Sequence, residues 1–186
     1  MSITCRLMHE HEFTSEFELF VMKTFFQYEP MNICLKTKIP DEIDLPWFKE
    51  VLHKAKYDNI SLAFYDTKYH HSLPIAYAIN HHDKVNDHDH SDSLYLSSSV
   101  DPNYRQSKLA SQLIDSSISV AKQKRFDMVY ADVTGDYSLN AFLKHDFQII
   151  KSIDYDSYEN SNGEKVFQNI HIHKGCSIVI KDLRTK

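Results

Sequence analysis

The chain has 186 residues and a hydrophobic content of 42%, which is enough for one globular domain with a sizeable core. Its formal net charge of −5 argues against binding to nucleic acid or to an anionic membrane surface. The sequence has no apolar run as long as a membrane span and no apolar signal segment at its start, so a cytoplasmic protein is expected. The three cysteines are widely spaced and form no CxxC pair, which is typical of reduced thiols. No repeat or linker divides residues 1–186, which are predicted to form a single domain.

The N-terminal third of the sequence predicts a strand followed by two helices. Ile3–Met8 is β-prone, and residues 10–26 carry aromatic and apolar side chains at helical spacing, which predicts core packing. Residues 41–54 predict a second helix, with Asp41 or Asp44 as its N-cap.

A segment rich in histidine and aspartate follows at residues 81–92, after a hairpin predicted at Ile60–Tyr65 and Leu73–Ile79. Two interpretations of the segment are open: a polar loop between strands, or a zinc or copper site. The candidate ligands are His81, His82, His88 and His90. Their spacing matches no closed structural zinc pattern and no cysteine lies nearby, so the loop is favoured and no bound metal is predicted.

The next stretch predicts a strand, a polar turn and a helix. The β-prone run Leu94–Val100 stops at an Asp-Pro pair, and apolar residues at helical spacing run from Ser107 to about Lys124. The first amides of a helix lack internal partners and carry the positive end of its dipole, which suits a phosphate or pyrophosphate. Arg105 and Lys108 add positive charge at the same end. The alternative is a solvated helix start with incidental basic residues.

This stretch resembles motif A of the GNAT superfamily, whose members are acetyl-CoA-dependent N-acetyltransferases. The loop of that motif is Arg/Gln-x-x-Gly-x-Gly/Ala; the chain has Arg105 and Ala110 at its ends but Lys108 in place of the central glycine. A left-handed backbone at Lys108 would cost roughly 1–2 kcal/mol, whereas a helical one would be tolerated. The resemblance implies acetyl-CoA as cosubstrate, held by the strand end and the loop. The residues concerned are Ser99, Val100, Arg105, Gln106, Ser107, Lys108, Leu109, Ala110 and Ser111.

The segment FFQYEPMNICL, residues 25–35, resembles the arylalkylamine N-acetyltransferases of invertebrates. In that family the glutamate before the proline is the catalytic base, so the resemblance implies this role for Glu29. The chemistry agrees, because a primary ammonium is almost wholly protonated at pH 7 and must lose a proton before it attacks a thioester. The alternative is a surface carboxylate at a helix end. Substrate contacts are expected from Tyr28, Met31, Trp47 and Tyr155.

The following residues predict the C-terminal half of a GNAT fold, with a short helix at Ser138–His145 between strands. The strands are predicted at Met128–Val133, Phe147–Asp154 and Ser177–Ile180. Many GNAT enzymes carry a tyrosine on the short helix, and Phe142 stands at that position here. The resemblance instead implies Thr134 and Ser138 as the hydroxyl groups near the leaving thiolate, and Ser138 is also a candidate helix N-cap.

The tail holds an aromatic pair, Tyr155 and Tyr158, that again resembles the arylalkylamine enzymes, followed by a turn at Asn160–Glu164. His171 and His173 share one face of an extended run, where surface positions are favoured over a metal site.

The fold implied by these resemblances is an α/β GNAT fold, with a mixed, mostly antiparallel sheet of six to seven strands and flanking helices. The implied function is direct transfer of acetyl from acetyl-CoA to a small-molecule primary amine, with Glu29 as general base. The expected amine is an arylalkylamine such as dopamine, serotonin, tryptamine or tyramine. The alternative is a catalytically weak or inactive relative that binds coenzyme A or another protein.

Overall fold

A seven-stranded mixed sheet forms the centre of the protein in a computed structural model, which describes residues 3–39, 45–68, 73–86, 89–168, 170 and 172–184. The strands are β1 (Ile3–Leu7), β2 (Leu62–Asp66), β3 (Ala76–Asn86), β4 (Asp89–Val100), β5 (Met128–Val133), β6 (Gln148–Asp154) and β7 (Gly175–Asp182). The helices are α1 (Ser15–Thr24), α2 (Pro30–Cys34), α3 (Pro46–Asp58), α4 (Leu109–Gln123) and α5 (Asp136–Leu143). The strand order is β1-β2-β3-β4-β5-β7-β6, and of the described pairs only β4 with β5 is parallel.

The first predicted helix is divided into separate pieces. Residues 10–12 form a 3-10 turn, and α1 begins only at Ser15 because the Thr14 hydroxyl accepts a hydrogen bond from the Phe17 amide. Helix α3 begins at Pro46, later than predicted, and the proposed caps Asp41 and Asp44 lie outside the described residues. The aromatic stripe of α1 is buried in the core, as predicted.

The prediction of a loop at residues 81–92 is wrong, because β3 and β4 continue through most of it as a long hairpin. Cross-strand pairing extends through His82–Leu94 and Lys84–Asp92. His81 is 3% exposed and packs on Tyr95, while His82 Nε2 lies 2.9 Å from Asp92 Oδ1. Both histidines therefore have structural roles.

A metal site at this hairpin stays an alternative that the structure does not support. The described part of the chain contains no group of three potential ligands that could hold a metal ion. His88 and the side chain of His90 lie outside the described residues.

The two faces of the sheet are covered unequally. Helices α1 and α3 pack on one face of β2 and β3, through side chains such as Phe17, Phe48 and Tyr77. Helices α4 and α5 pack on the opposite face along β4, β5 and β7. On the first face over β5 and β7, Tyr130, Cys176 and Ile178 are half-buried, and Asp132 is exposed.

None of the helices in the described ranges combines the length and the apolarity that crossing a bilayer requires.

Candidate active site

A fork in the sheet marks the candidate site. Strands β4 and β5 pair only from Ser93–Met128 to Tyr95–Tyr130 and then diverge. Beyond the fork, β4 pairs with β3 alone and β5 with β7 alone. The facing edges therefore offer backbone N–H and C=O groups to which an extended chain can add as a strand. The predicted coenzyme residues Ser99 and Val100 lie on the β4 edge of the fork.

Helix α4 follows the β4 side of the fork and begins without a side-chain cap. Its N-cap is Lys108, and the helix starts at Leu109, two residues later than predicted. The first internal hydrogen bond described there runs from the Gln112 amide to the Lys108 carbonyl, at 3.1 Å. The amides of Leu109, Ala110 and Ser111 precede that bond and carry the positive end of the helix dipole.

Lys108 adopts the left-handed conformation that a glycine would take without strain, with φ of 63°. Of the two alternatives for this position, the strained one is realised, at a cost of roughly 1–2 kcal/mol. Gln106 is also left-handed, with φ of 65°. The loop thus makes the sharp turn that the motif requires, although it lacks the motif's glycine.

The other predicted coenzyme residues surround this helix start. Arg105, Gln106, Ser107 and Lys108 are exposed. The Arg105 guanidinium lies 4.3 Å from the centre of the Tyr28 ring, a cation–π contact that joins the loop to the segment of Glu29. The Leu109 side chain lies in the core and the Ser111 hydroxyl lies 2.7 Å from His145 Nε2, so the backbone amides are what these two residues can offer to a coenzyme.

Glu29 is a buried carboxylate, which excludes the alternative of a surface group. It is 7% exposed and caps α2, with its Oε2 accepting a hydrogen bond of 2.8 Å from the Asn32 amide. Its Oε1 is buried and accepts no hydrogen bond from the described residues. Burial raises the pKa of Glu29, and the Asn32 and Met31 amides, the Thr134 hydroxyl and His173 oppose that rise. A carboxylate with a raised pKa and a free oxygen is suited to accept a proton.

Thr134 follows β5 at the fork and lies beside Glu29. Its carbonyl oxygen accepts a hydrogen bond of 2.8 Å from the Tyr155 hydroxyl. Tyr155, predicted to contact the substrate, is instead only 1% exposed and is packed against Phe167. The side chain of Tyr155 therefore positions Thr134 and offers no surface to a ligand.

Ser138 is neither the N-cap of its helix nor a free hydroxyl. Helix α5 begins two residues earlier than predicted, at Asp136, with Gly135 as its N-cap. The Ser138 hydroxyl lies inside the first turn and donates to the Gly135 carbonyl at 2.8 Å. Phe142 is a core residue that packs against Phe147.

His173 closes the start of α5 and was missed as a site residue by the sequence analysis. Its Nδ1 accepts a hydrogen bond of 3.1 Å from the Asp136 amide, and Asp136 Oδ1 accepts one of 3.1 Å from the Lys174 amide. The neutral ring therefore carries its hydrogen on Nε2. The spacing of His171 and His173 was visible in the sequence, but it could not reveal that His173 reaches the turn at the start of α5. His171 lies outside the described residues.

The remaining predicted substrate residues lie in the segment that carries Glu29 or pack against it. Tyr28 and Trp47 are 44% and 52% exposed, and Met31 is half-buried on α2. Trp47 packs edge-on against Phe26 and Phe48. Tyr28 and Trp47 can offer aromatic surface to a ligand, and Met31 can offer apolar surface.

Comparison with solved structures confirms the predicted fold. The chain superposes on arylalkylamine N-acetyltransferase 2 from Aedes aegypti with a TM-score of 0.85 and 19% identity, covering 99% of this chain and 100% of that one. Polyamine N-acetyltransferase from Drosophila melanogaster, an enzyme that forms N-acetylagmatine, gives 0.76 at 15% identity, covering 98% and 100%. The C-terminal condensation domain of Ebony, solved with β-alanyl-dopamine, gives 0.74 at 11% identity, again covering 98% and 100%.

These likenesses identify the GNAT fold, and they do not identify the reaction. No protein-family model and no curated protein matches the sequence.

Proposed function

We propose that this protein transfers acetyl from acetyl-CoA to a primary amine, with Glu29 as general base. The observation that carries the proposal is the buried carboxylate of Glu29, whose Oε1 accepts no described hydrogen bond and which lies beside Thr134 at the fork of the sheet. Several solved proteins of the same fold are named as N-acetyltransferases, which supports acetyl-CoA as the acetyl donor.

The coenzyme fits the two open backbone features of the fork. The amides at the start of α4 would bind its pyrophosphate, and the exposed side chains of Arg105 and Lys108 would add charge-assisted contacts. The pantetheine arm would pair with the β4 edge near Ser99 and Val100. Gln106, Ser107, Leu109, Ala110 and Ser111 would contribute mainly through the backbone of the loop.

The chemistry proposed for Glu29 is the removal of one proton from the substrate ammonium. The free amine then attacks the thioester carbon, the C–S bond breaks, and the second proton lost by nitrogen neutralises the departing thiolate. Thr134 is the proposed hydroxyl near that thiolate, since Ser138 donates to the Gly135 carbonyl. A thiol with a pKa of about 8.5 is a good leaving group, so a weak donor or water suffices.

The proposed substrate class is the arylalkylamines, and the protein is proposed to act in the cytoplasm. The class rests on the resemblance of residues 25–35 and on the exposed aromatic side chains of Tyr28, which precedes Glu29, and Trp47, which packs on Phe26. Tyr28 and Trp47 are half-exposed and can pack against an aryl ring, with Met31 beside them. Arylalkylamine N-acetyltransferase 2 from Aedes aegypti shares the fold over nearly the whole chain.

The test is thiol release from acetyl-CoA with a panel of aryl and alkyl amines, run with the wild type and Glu29→Gln. We expect kcat to fall by about 10²–10⁴ in the variant, because general bases typically contribute that factor. A fall smaller than about tenfold would show that another group removes the proton.

A coenzyme-binding relative without activity is the second candidate, and the strained Lys108 in place of glycine favours it. Calorimetric titration with acetyl-CoA separates the two. Binding without thiol release for any amine would establish the second candidate, whereas binding with release would exclude it.

A further inference from the structure

A serine, a histidine and an aspartate form a hydrogen-bonded chain on the side of the sheet that carries α4 and α5. The Ser111 hydroxyl lies 2.7 Å from His145 Nε2, and His145 Nδ1 lies 2.8 Å from Asp115 Oδ1. Ser111 and Asp115 are one turn apart on α4, so their side chains share a face, and His145 follows the C-terminal end of α5. The proposed acetyl transfer uses none of these three side chains.

The hydrogen positions in this chain follow from the chemistry of its members. A carboxylate can only accept, so Asp115 accepts a hydrogen bond from the Nδ1–H group of the neutral His145 ring. The lone pair on Nε2 then faces Ser111, whose hydroxyl donates to it. A serine hydroxyl that donates to a histidine, which is in turn oriented by a carboxylate, is the arrangement of an activated nucleophile with its general base.

The residues around His145 hold its ring against Ser111. The Lys181 ammonium on β7 donates a hydrogen bond of 2.7 Å to the His145 carbonyl, and the His145 amide donates one of 2.9 Å to the Phe142 carbonyl. The His145 side chain is only 13% exposed. The histidine is therefore fixed at its backbone and at Nδ1, which leaves Nε2 for the serine.

Donors for a developing negative charge lie at the same end of α4. The amides of Leu109, Ala110 and Ser111 precede the first internal hydrogen bond described in the helix. That bond runs from the Gln112 amide to the Lys108 carbonyl. Side chains of a helix tilt toward its N-terminus, so the Ser111 hydroxyl lies on the side of these amides. Such amides stabilise the oxyanion that forms when a hydroxyl attacks an ester carbonyl.

We propose that Ser111 is a nucleophile and that the protein hydrolyses small carboxylic esters at the start of α4. Ser111 Oγ attacks the ester carbonyl carbon while its proton moves to His145 Nε2. The alcohol leaves with that proton, and the acyl group stays on Ser111. Water then attacks the acyl carbon and gives a proton to His145, which returns it to Ser111 Oγ as the carboxylic acid departs. Because the Ser111 hydroxyl is half-buried, the acyl group is a small one such as acetyl.

The test measures hydrolysis of the ester p-nitrophenyl acetate by the full chain, without acetyl-CoA or amine, so it does not depend on the proposed transfer. In Ser111→Ala and in His145→Gln we expect kcat/KM to fall by about 10²–10⁴, the factor that a general base typically contributes. Ser119→Ala is the matched control and should leave kcat/KM unchanged. Ser119 is an exposed residue of the same helix, and its hydroxyl donates to a backbone carbonyl of that helix.

A covalent label separates a nucleophilic serine from a structural one. The oxygen of an activated serine bonds to the phosphorus of diisopropyl fluorophosphate, and fluoride leaves with the serine proton. We expect mass spectrometry to find one such group on the peptide that contains Ser111, in the wild type and in Ser119→Ala but not in Ser111→Ala. Alanine forms helix better than serine, so Ser111→Ala should retain α4, which circular dichroism checks.

Three results would overturn the inference. Ester hydrolysis by Ser111→Ala at the wild-type rate would assign the cleavage to another group. A wild-type protein in which Ser111 stays unlabelled would reduce the contact of Ser111 with His145 to a structural one. Undiminished labelling of Ser111 in His145→Gln would exclude the histidine as its base.

Discussion

Helix α4 begins with its first amides uncapped, whereas helix α5 begins under a histidine that comes from a distant part of the chain. In α4 the N-cap side chain is Lys108, which cannot accept a hydrogen bond. In α5 the Asp136 amide donates to His173 Nδ1, and Asp136 in turn accepts from the Lys174 amide. Both helices follow strands that border the fork.

The contrast shows that the two helix starts serve different purposes: one is available to bind an anion, and the other holds a turn in position. An uncapped helix start retains its hydrogen-bonding groups and its dipole for an anion. A capped start fixes the preceding turn, and the turn before α5 includes Thr134, which lies beside Glu29. Blocking the start of α4 should therefore weaken coenzyme binding, whereas removing the cap of α5 should lower stability and kcat.

Of the changes at the two helix starts, Lys108→Asp should produce the largest effect, because it places a negative charge at the uncapped start of α4. We expect the dissociation constant for coenzyme A to rise roughly 10²-fold, since charge-assisted hydrogen bonds are lost and repulsion is added. Calorimetric titration measures it. Lys108→Asn is the neutral control and should weaken binding less. Wild-type affinity in Lys108→Asp would exclude this helix start as the pyrophosphate site.

His173→Leu should release the start of α5. Without the Nδ1 acceptor, we expect the free energy of unfolding to fall by about 1 kcal/mol, as for other lost caps, and kcat to fall by about tenfold as the turn at Thr134 loosens. His173→Asn keeps an acceptor oxygen near the position of Nδ1 and should restore most of both values. Equal damage in the two variants, by denaturant unfolding and thiol release, would contradict a capping role.

Glu29→Gln should stabilise the fold at neutral pH while it removes activity. The pKa of Glu29 is raised above its ordinary value of 4.5 in the folded state, so the folded protein binds a proton more tightly than the unfolded chain. Protonated Glu29 therefore stabilises the folded protein below pH 4.5, and this stabilisation is lost as the pH rises through the pKa of Glu29 in the folded state.

We accordingly expect a higher melting temperature for Glu29→Gln at pH 7, by about 2–4 °C for each kcal/mol, and a difference that shrinks below pH 4.5. Melting curves at several pH values measure this. In the wild type, kcat/KM should rise with pH through a value above 4.5. An acid limb that persists unchanged in Glu29→Gln would assign it to another group.

The smallest expected effect concerns the left-handed backbone at Lys108. Lys108→Gly and Lys108→Ala remove the same charge, but only glycine adopts φ of 63° without strain. We expect Lys108→Gly to exceed Lys108→Ala by about 1 kcal/mol in free energy of unfolding, with equal affinities for coenzyme A. Equal stabilities in denaturant would show that residue 108 does not need the left-handed conformation.

Periodicity predicted the elements that have one clear buried face. Met128–Val133 is a strand with the predicted bounds, and α4 buries Leu113, Ile114 and Ala121 as its spacing indicated. The polar hairpin at residues 81–92 was missed because its pairing comes from backbone ladders and from contacts such as His82 with Asp92, which polar composition conceals.

The site could be predicted only where a local pattern carries it. The segment around Glu29 and the turn before α4 are each one uninterrupted stretch of sequence. The structure brings them together through the contact of Arg105 with the Tyr28 ring. His173 lies far from these segments along the chain, and the pairing of β5 with β7 brings the residues before β7 to the start of α5. Tyr155 was assigned to the wrong role for the same reason, since its hydroxyl bonds a carbonyl contributed by another strand.

Gly175 is the position at which β7 begins opposite Asp154, the last residue of β6. A Cβ atom there would collide with the Ile153 carbonyl oxygen, so any larger residue would force the two strand ends apart. The two ends of the long connection between these strands are thus held together by a close backbone contact that leaves no room for a side chain at residue 175. Variants that exchange this connection should keep Gly175 and His173, so that the connection can be redesigned without separating the ends of β6 and β7.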